Sequence, residues 1–243
     1  MGALVALVTG AAQGLGAAIA RRLHEDGFRV ALGDLNSPEA ERVAAELDPA
    51  GETARAFGLD VADADSIEAA FARVTEVWGQ PDVLVNNAGV TVKRSLWEIT
   101  VDEWDAVLDT NLRSYFVLSR LAAAGMRDRG WGRIVNVSSF AGQQGGLVAG
   151  AHYAASKAGI LVLTKIFARE LAGDGVTVNA ITPAAVRTPA MDDDEVTRLG
   201  AGIPVGRVGQ PQEIAAAVAY LVGPDSGYVT GATLDLNGGL FMR

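Results

Sequence analysis

The chain contains no cysteine. Disulfides, thiolate nucleophiles and zinc–cysteine sites are therefore excluded together. It has only two histidines, His24 and His152, too few for a histidine-rich metal site. No run of about 18 apolar residues is present, so no membrane span and no membrane partner are expected. The first residues show no basic region followed by a cleavable apolar core, so secretion is not indicated and a cytoplasmic location is expected. Positive charge is the scarcer sign. Lys and Arg number 20 against 29 Asp and Glu, a net charge of −9. That balance repels phosphate backbones and argues against a nucleic-acid partner.

The 243 residues are 49% hydrophobic and 20% charged, the profile of an ordinary folded protein rather than a disordered one. Glycine is abundant, with 29 residues. The glycines sit at the ends of apolar runs, with no fixed period, and so punctuate a fold.

Seven short apolar runs alternate with longer helical patterns: Ala3–Thr9, Phe28–Asp34, Thr53–Leu59, Asp82–Asn86, Gly132–Ser138, Val176–Ile181 and Thr233–Leu236. Most are continuous rather than alternating, which suits strands buried on both faces. Between them, Ile67, Phe71, Val74 and Trp78 share one helical face. Ser37-Pro38 is expected to open another helix with its cap. Thr100 and Glu103 have the spacing of a capping box. The pattern predicts a single α/β domain over 1–243, a doubly wound fold with a seven-stranded parallel sheet flanked by helices. Two stretches, Tyr115–Ala124 and Gly159–Leu171, are apolar on more than one face. Either they lie inside one subunit or they meet a partner.

The first strand leads into Gly10-Ala-Ala-Gln-Gly14-Leu-Gly16 and then a helix, expected over Ala17–Asp26. A strand, glycine turn and helix start place free N–H groups and a positive dipole end at the sheet's carboxyl edge, where a pyrophosphate binds. The spacing is G-x-x-x-G-x-G rather than G-x-G-x-x-G. A tight packing turn would also account for it. Asp34 ends the second strand, where a carboxylate can bind both adenosine ribose hydroxyls and repel a 2′-phosphate. Leu35 follows it and Gln13 occupies the turn, so no cation replaces that preference. NAD is the cofactor expected. A plain turn aspartate ahead of Ser37 is the alternative.

Tyr153 and Lys157 stand four residues apart, on one face of a helix. A phenol titrates near ~10, and a nearby cation pulls that value down toward the range useful for proton transfer. Alone, such a pair is common surface chemistry. Ser138-Ser139 lies at the end of an apolar strand, where a strand-end cap is equally in keeping.

Together these segments resemble the classical short-chain dehydrogenase/reductase family, in its 3-oxoacyl reductase-like branch, over nearly the whole chain. The matching pieces are T9-G-A-A-Q-G-L-G16, Asp60-Val61, N86-N-A-G89, Asn111, N136-V-S-S139, Y153-A-A-S-K157 and N179-A-I-T-P183 followed by Val186 and Thr188. The resemblance implies a Rossmann fold and alcohol–ketone chemistry on a nicotinamide cofactor, without a metal. Tyr153 would be the acid/base, and Ser139 would hold the substrate oxygen. Lys157 would lower the tyrosine pKa and bind the nicotinamide ribose. Asn111 would hold a water linking Lys157 to solvent. Gly10, Gln13, Gly14, Leu15 and Gly16 would wrap the pyrophosphate, and Asp34 and Leu35 would face the adenosine ribose. Asp60 and Val61 would flank the adenine, and Asn87, Ala88 and Gly89 would support the adenosine side. Pro183, Val186 and Thr188 would lie by the nicotinamide, the last two orienting its carboxamide. The family habit also implies a homotetramer. Two positions depart from the family pattern: Ala184 stands where Pro-Gly is usual, and Asn237 where V-D-G-G is usual.

Substrate choice is expected from Val90–Trp97, Phe140–Gly150 and a lid of about 188–204. The middle loop is small and mostly uncharged. Asp192, Asp193, Asp194 and Glu195 in the lid suit a solvated helix start. A sharper reading has them disfavour anionic substrates. His152, beside Tyr153, is expected to pack or bond a loop rather than to catalyse. Of three functions the first is the one expected, the second is its alternative, with Asp34 and the acidic lid arguing against it, and the third is the least favoured. The first is an NAD-linked dehydrogenase of a neutral secondary alcohol or ketone. The second is a 3-oxoacyl-acyl-carrier-protein or 3-oxoacyl-CoA reductase, and the third a non-catalytic dinucleotide sensor.

Overall fold

The computed structural model describes residues 3–146, 149–188 and 191–242. The first half alternates strand and helix: β1 (Val5–Thr9), α1 (Gly14–Glu25), β2 (Arg29–Asp34), α2 (Ser37–Leu47), β3 (Ala54–Gly58), α3 (Ala64–Trp78) and β4 (Val83–Asn86). After β4 come α4 (Val101–Leu108), a π-helical turn (Asp109–Arg113) and α5 (Ser114–Arg129). Then follow β5 (Gly132–Val137), α6 (Ala141–Gln144), α7 (Ala151–Leu171) and β6 (Val176–Pro183). The chain continues through α8 (Asp193–Gly200) and α9 (Pro211–Val222) to β7 (Thr233–Leu236).

All seven strands are parallel and lie in the order β3-β2-β1-β4-β5-β6-β7. β1, β4, β5 and β6 are buried along their whole length. Their sequences are mostly apolar, and the buried polar side chains among them are paired, Asn136 with Asn86 and Thr164, and Asn179 with the Val229 carbonyl and Ala232 N–H. Within β1, Ala6 and Val8 face α1, α2 and α9, while Val5 and Leu7 face α3, α5 and α7. This gives the doubly wound α/β architecture expected. The strand order reverses between β1 and β4, so the carboxyl ends of those two strands diverge into a crevice. Among the described residues, no helix is long and apolar enough to cross a membrane.

Local differences from the sequence reading have simple causes. Helix α1 begins at Gly14, three residues early, because the glycine turn itself supplies the first helical turn. The cap of α2 is Asn36, whose Oδ1 accepts from the Glu39 N–H, and not Ser37, which lies inside the helix. Only half of the α4 capping box forms. Thr100 Oγ1 accepts from Glu103 N–H at 3.1 Å, but the Glu103 carboxylate turns away to other partners. Trp78 is half-buried and meets the Phe57 ring edge-on at 6.1 Å. No residue other than glycine has a positive φ among the described residues, so Ala184 takes a conformation that needs no glycine. Its N–H donates to Leu236. Asn237 closes the chain's last turn, accepting from Gly239 N–H and donating to the Phe241 carbonyl.

Candidate active site

The glycine turn is built by close approach. Gly10 has φ 65°, and a β-carbon on Gly16 would lie 2.0 Å from the Gly10 carbonyl oxygen. Only hydrogen fits there. Gln13 gives α1 no side-chain cap, so the first N–H groups of that helix are left for an outside acceptor. Asn87 bolts β4 to the turn by donating to the Thr9 and Gly10 carbonyls. Thr9 Oγ1 in turn accepts from the N–H groups of Asn87 and Ala88. The Asp34 carboxylate accepts from Ala12 N–H and Asn36 N–H, both at 2.9 Å.

These residues line a cleft of about 600 Å³ along the carboxyl edge of β1, β2 and β4. Gly10, Gln13, Gly14, Leu15 and Gly16 form one wall. Asp34, Leu35, Asp60 and Val61 form the far end, and Asn87, Ala88 and Gly89 close it near β4. A second cleft of about 500 Å³ continues over β5 and β6. Ser139, Tyr153, Lys157, Pro183, Val186 and Thr188 line it. Leu15, Asn87, Gly89, Thr91 and Thr188 line both, so the two are parts of one groove. The expected site residues thus come together, with one exception. Asn111 is fully buried in the π-helical turn, and its side chain clamps Val90, accepting from the N–H and donating to the carbonyl. Asn111 also donates to Ser156 Oγ at 3.3 Å, and its Oδ1 and Lys157 Nζ both lie beside Gly89.

The paired serines divide their roles. Ser138 is buried and donates to the Lys157 carbonyl at 2.7 Å, tying β5 to α7. Both serines line the groove, and Ser139 Oγ accepts from Ala141 N–H. Lys157 Nζ donates to the Val137 carbonyl at 2.8 Å, an oxygen that also accepts from the buried Tyr115 hydroxyl. Burial pushes the Lys157 ammonium down to about 7. Burial, and then the neighbouring Tyr153, push Tyr115 far upward, so it stays a neutral donor.

Several contributors carry no motif. Lys93, Met191, Arg198 and Leu199 line the substrate end of the groove. They come from two of the stretches expected to meet substrate, Val90–Trp97 and the lid, although no motif singles out these four. The lid acids are largely engaged. Asp192 caps α8 through Glu195 N–H, Asp193 pairs with Arg187 at 2.9 Å, and only Glu195 lines the groove. Pro189 and Ala190 of the expected lid, and Leu147 and Val148 of the middle loop, lie outside the described residues.

A dinucleotide-shaped groove at the switch point of a doubly wound sheet, with a phenol and an ammonium one helical turn apart at its far end, defines an oxidoreductase that uses a nicotinamide dinucleotide. Comparison with known proteins agrees. A family model described as enoyl-(acyl carrier protein) reductase matches residues 10–241, and the chain belongs to the short-chain dehydrogenase/reductase family. It is 42% identical over 241 residues to a 3-oxoacyl-(acyl-carrier-protein) reductase FabG of Vibrio cholerae, covering 98% of this chain and 97% of that protein. It is 44% identical over 242 residues to an acetoacetyl-CoA reductase of Cupriavidus necator, covering 98% of each.

Proposed function

We propose that this chain interconverts 3-oxoacyl and 3-hydroxyacyl thioesters, with NAD(H) as its hydride carrier. The observation that carries the reading is the convergence of Ser139, Tyr153 and Lys157 on one groove continuous with the glycine turn. Bound there, a nicotinamide supplies or accepts the hydride. Every other part falls to side chains. Tyr153 gives its proton to the carbonyl oxygen in reduction and takes it back in oxidation. Ser139 spends a lone pair on Ala141 N–H, which leaves its own proton to hold that oxygen. Lys157, one turn below the phenol, holds the nicotinamide ribose. Asn111 steadies Val90 and, through a water on its remaining oxygen lone pair, links Lys157 to solvent. The glycine turn takes the pyrophosphate, and Val186 and Thr188 hold the carboxamide. The segment 188–204 serves as a lid within a single catalytic domain.

NAD is favoured by charge. Asp34 stands at the adenosine end, Leu35 follows it, and no lysine or arginine lines that cleft among the described residues. A 2′-phosphate would meet a carboxylate with no counter-ion.

The thioester is favoured over the neutral alcohol for two reasons. Relatives at 42% and 44% identity carry the names of 3-oxoacyl-carrier and acetoacetyl-CoA reductases. The substrate end also carries Lys93 and Arg198 against one carboxylate, Glu195, a balance that suits the phosphates of a thioester's carrier arm. A neutral ketone remains the second reading, favoured by the uncharged wall of Ala184, Ala185, Met191 and Leu199. The proposed protein is a cytoplasmic homotetramer. Its extra apolar faces bear exposed Phe116, Val162 and Ile166, with a groove between α4, α5 and α7 to receive a partner.

The test is a rate comparison, following cofactor absorbance with acetoacetyl-CoA and a panel of neutral ketones, each with NADH and NADPH. Faster turnover of the thioester with NADH supports the proposal. Turnover of neutral ketones alone selects the second reading.

A further inference from the structure

We propose that His152 and Glu103 are positioning residues that fix the first turn of α7, and with it the placement of Tyr153. The inference rests on the reading of Tyr153 as the proton-transferring group. It starts from a missing cap. The N-cap of α7 is Gly150, which has no side chain to offer the helix. The first backbone bond of the helix is Ala154 N–H to the Gly150 carbonyl, so Tyr153 N–H, one residue earlier, has no carbonyl to meet. It donates instead to Nδ1 of His152 at 2.9 Å. The imidazole does the work normally done by a capping serine or aspartate.

The tautomer follows from the partners. A backbone N–H can only donate, so Nδ1 is bare and the ring proton sits on Nε2. Nε2 lies 3.0 Å from Glu103 Oε1 and donates to it. The ring is completely buried, and Glu103 is largely covered. Gly150 and the ring need each other. A β-carbon at Gly150 would lie 2.4 Å from His152 Cε1, so the residue that cannot cap the helix is also the one that makes room for its substitute.

Glu103 is itself held. Thr100 anchors its N–H, and Arg94 Nε donates to the same carboxylate oxygen at 3.3 Å. Arg94 belongs to the loop that brings Thr91 and Lys93 to the groove, and Gly150 N–H donates to Val92 in that loop. The pair therefore connects a substrate-facing loop with the helix that carries the phenol. It also explains why the capping box is only half formed.

The experiment uses the full chain and the variants Glu103→Gln, Glu103→Leu and His152→Leu. Nitrogen NMR of the two imidazoles, with His24→Gln for assignment, reads the tautomer. Rates with acetoacetyl-CoA and NADH are normalised to cofactor-binding sites, and cofactor affinity and thermal unfolding are measured alongside. We expect bare Nδ1 and protonated Nε2 on His152. Glu103→Gln, which keeps an acceptor, should retain that pattern and lose kcat by no more than about threefold. Glu103→Leu and His152→Leu should lose about ten- to a hundredfold in kcat, with cofactor affinity within about twofold of the parent. A protonated Nδ1 overturns the proposal. So does wild-type kcat in Glu103→Leu, or a loss that only tracks the fraction of cofactor-binding sites. Should the leucine variants fail to fold, the parent's nitrogen pattern and Glu103→Gln decide. If the parent turns over neither thioesters nor neutral ketones, the functional reading fails, while the nitrogen pattern still judges the pair.

Discussion

Lys157 Nζ lies 5.7 Å from the centre of the Tyr153 ring and 5.5 Å from that of Tyr115. A buried ammonium is thus flanked by two aromatic rings and backed by the Val137 carbonyl. The rings and the carbonyl favour the charge, while burial opposes it, and burial wins.

This has a consequence for stability against pH. The folded pKa of Lys157 is about 7, against about 10.4 in an unfolded chain. Between those values the unfolded state binds more protons, so this group's contribution makes stability rise with pH across that window. Below it, the fold bears the full penalty of a buried charge. Lys157→Met should therefore change Tm more favourably at about pH 6 than at about pH 9.5. Thermal unfolding of both proteins across pH checks this, and a difference that ignores pH would count against a titrating Lys157.

Tyr153→Phe removes only the hydroxyl. Turnover should fall by at least about a hundredfold while cofactor affinity holds. Substantial residual rate in single-turnover kinetics would show that another group moves the proton.

At the adenosine end, Asp34→Ser combined with Leu35→Arg replaces a carboxylate by a cation beside the ribose. The preference should shift toward NADP(H) by about tenfold or more, read by fluorescence titration of each cofactor. Asp34 also holds Ala12 N–H and Asn36 N–H, so some loss of affinity for both cofactors should accompany the switch.

Gly16→Ala places a methyl group against the Gly10 carbonyl and Asn87. The turn must open, so cofactor binding should be lost, with destabilisation of about 2 kcal/mol or more. Calorimetry and denaturant unfolding measure the two effects separately.

If the α5 and α7 faces meet partner subunits, Val162→Glu should lower the assembled mass. Light scattering reads the change directly. A parent protein already at one-subunit mass would reject the tetramer.

The strands, the glycine turn and the Tyr153–Lys157 pair were legible in the sequence because each rests on local rules. A strand buried on both faces is mostly apolar, as Leu84 and Ile134 show. A crossing of backbones as close as that at Gly16 admits no side chain. Residues four apart on a helix share a face. Thr100 and Glu103 mark where such rules stop. Their spacing predicts a reciprocal box, yet the Glu103 carboxylate is drawn to a histidine 49 positions away. No local pattern encodes that partner.

The sequence by itself determined the layered α/β architecture, the glycine turn and the placing of Tyr153 and Lys157 on one helix face, since period, glycine spacing and side-chain chemistry act over a few residues. Only the tertiary structure decided that the Ser138 hydroxyl is spent on the Lys157 carbonyl while Ser139 Oγ accepts from Ala141 N–H. It alone paired the Asn111 side chain with Val90 and gave His152 Nδ1 the Tyr153 N–H. Those outcomes depend on which distant segments exclude water together, because burial and hydrogen-bond satisfaction are properties of the packed chain rather than of any stretch of it.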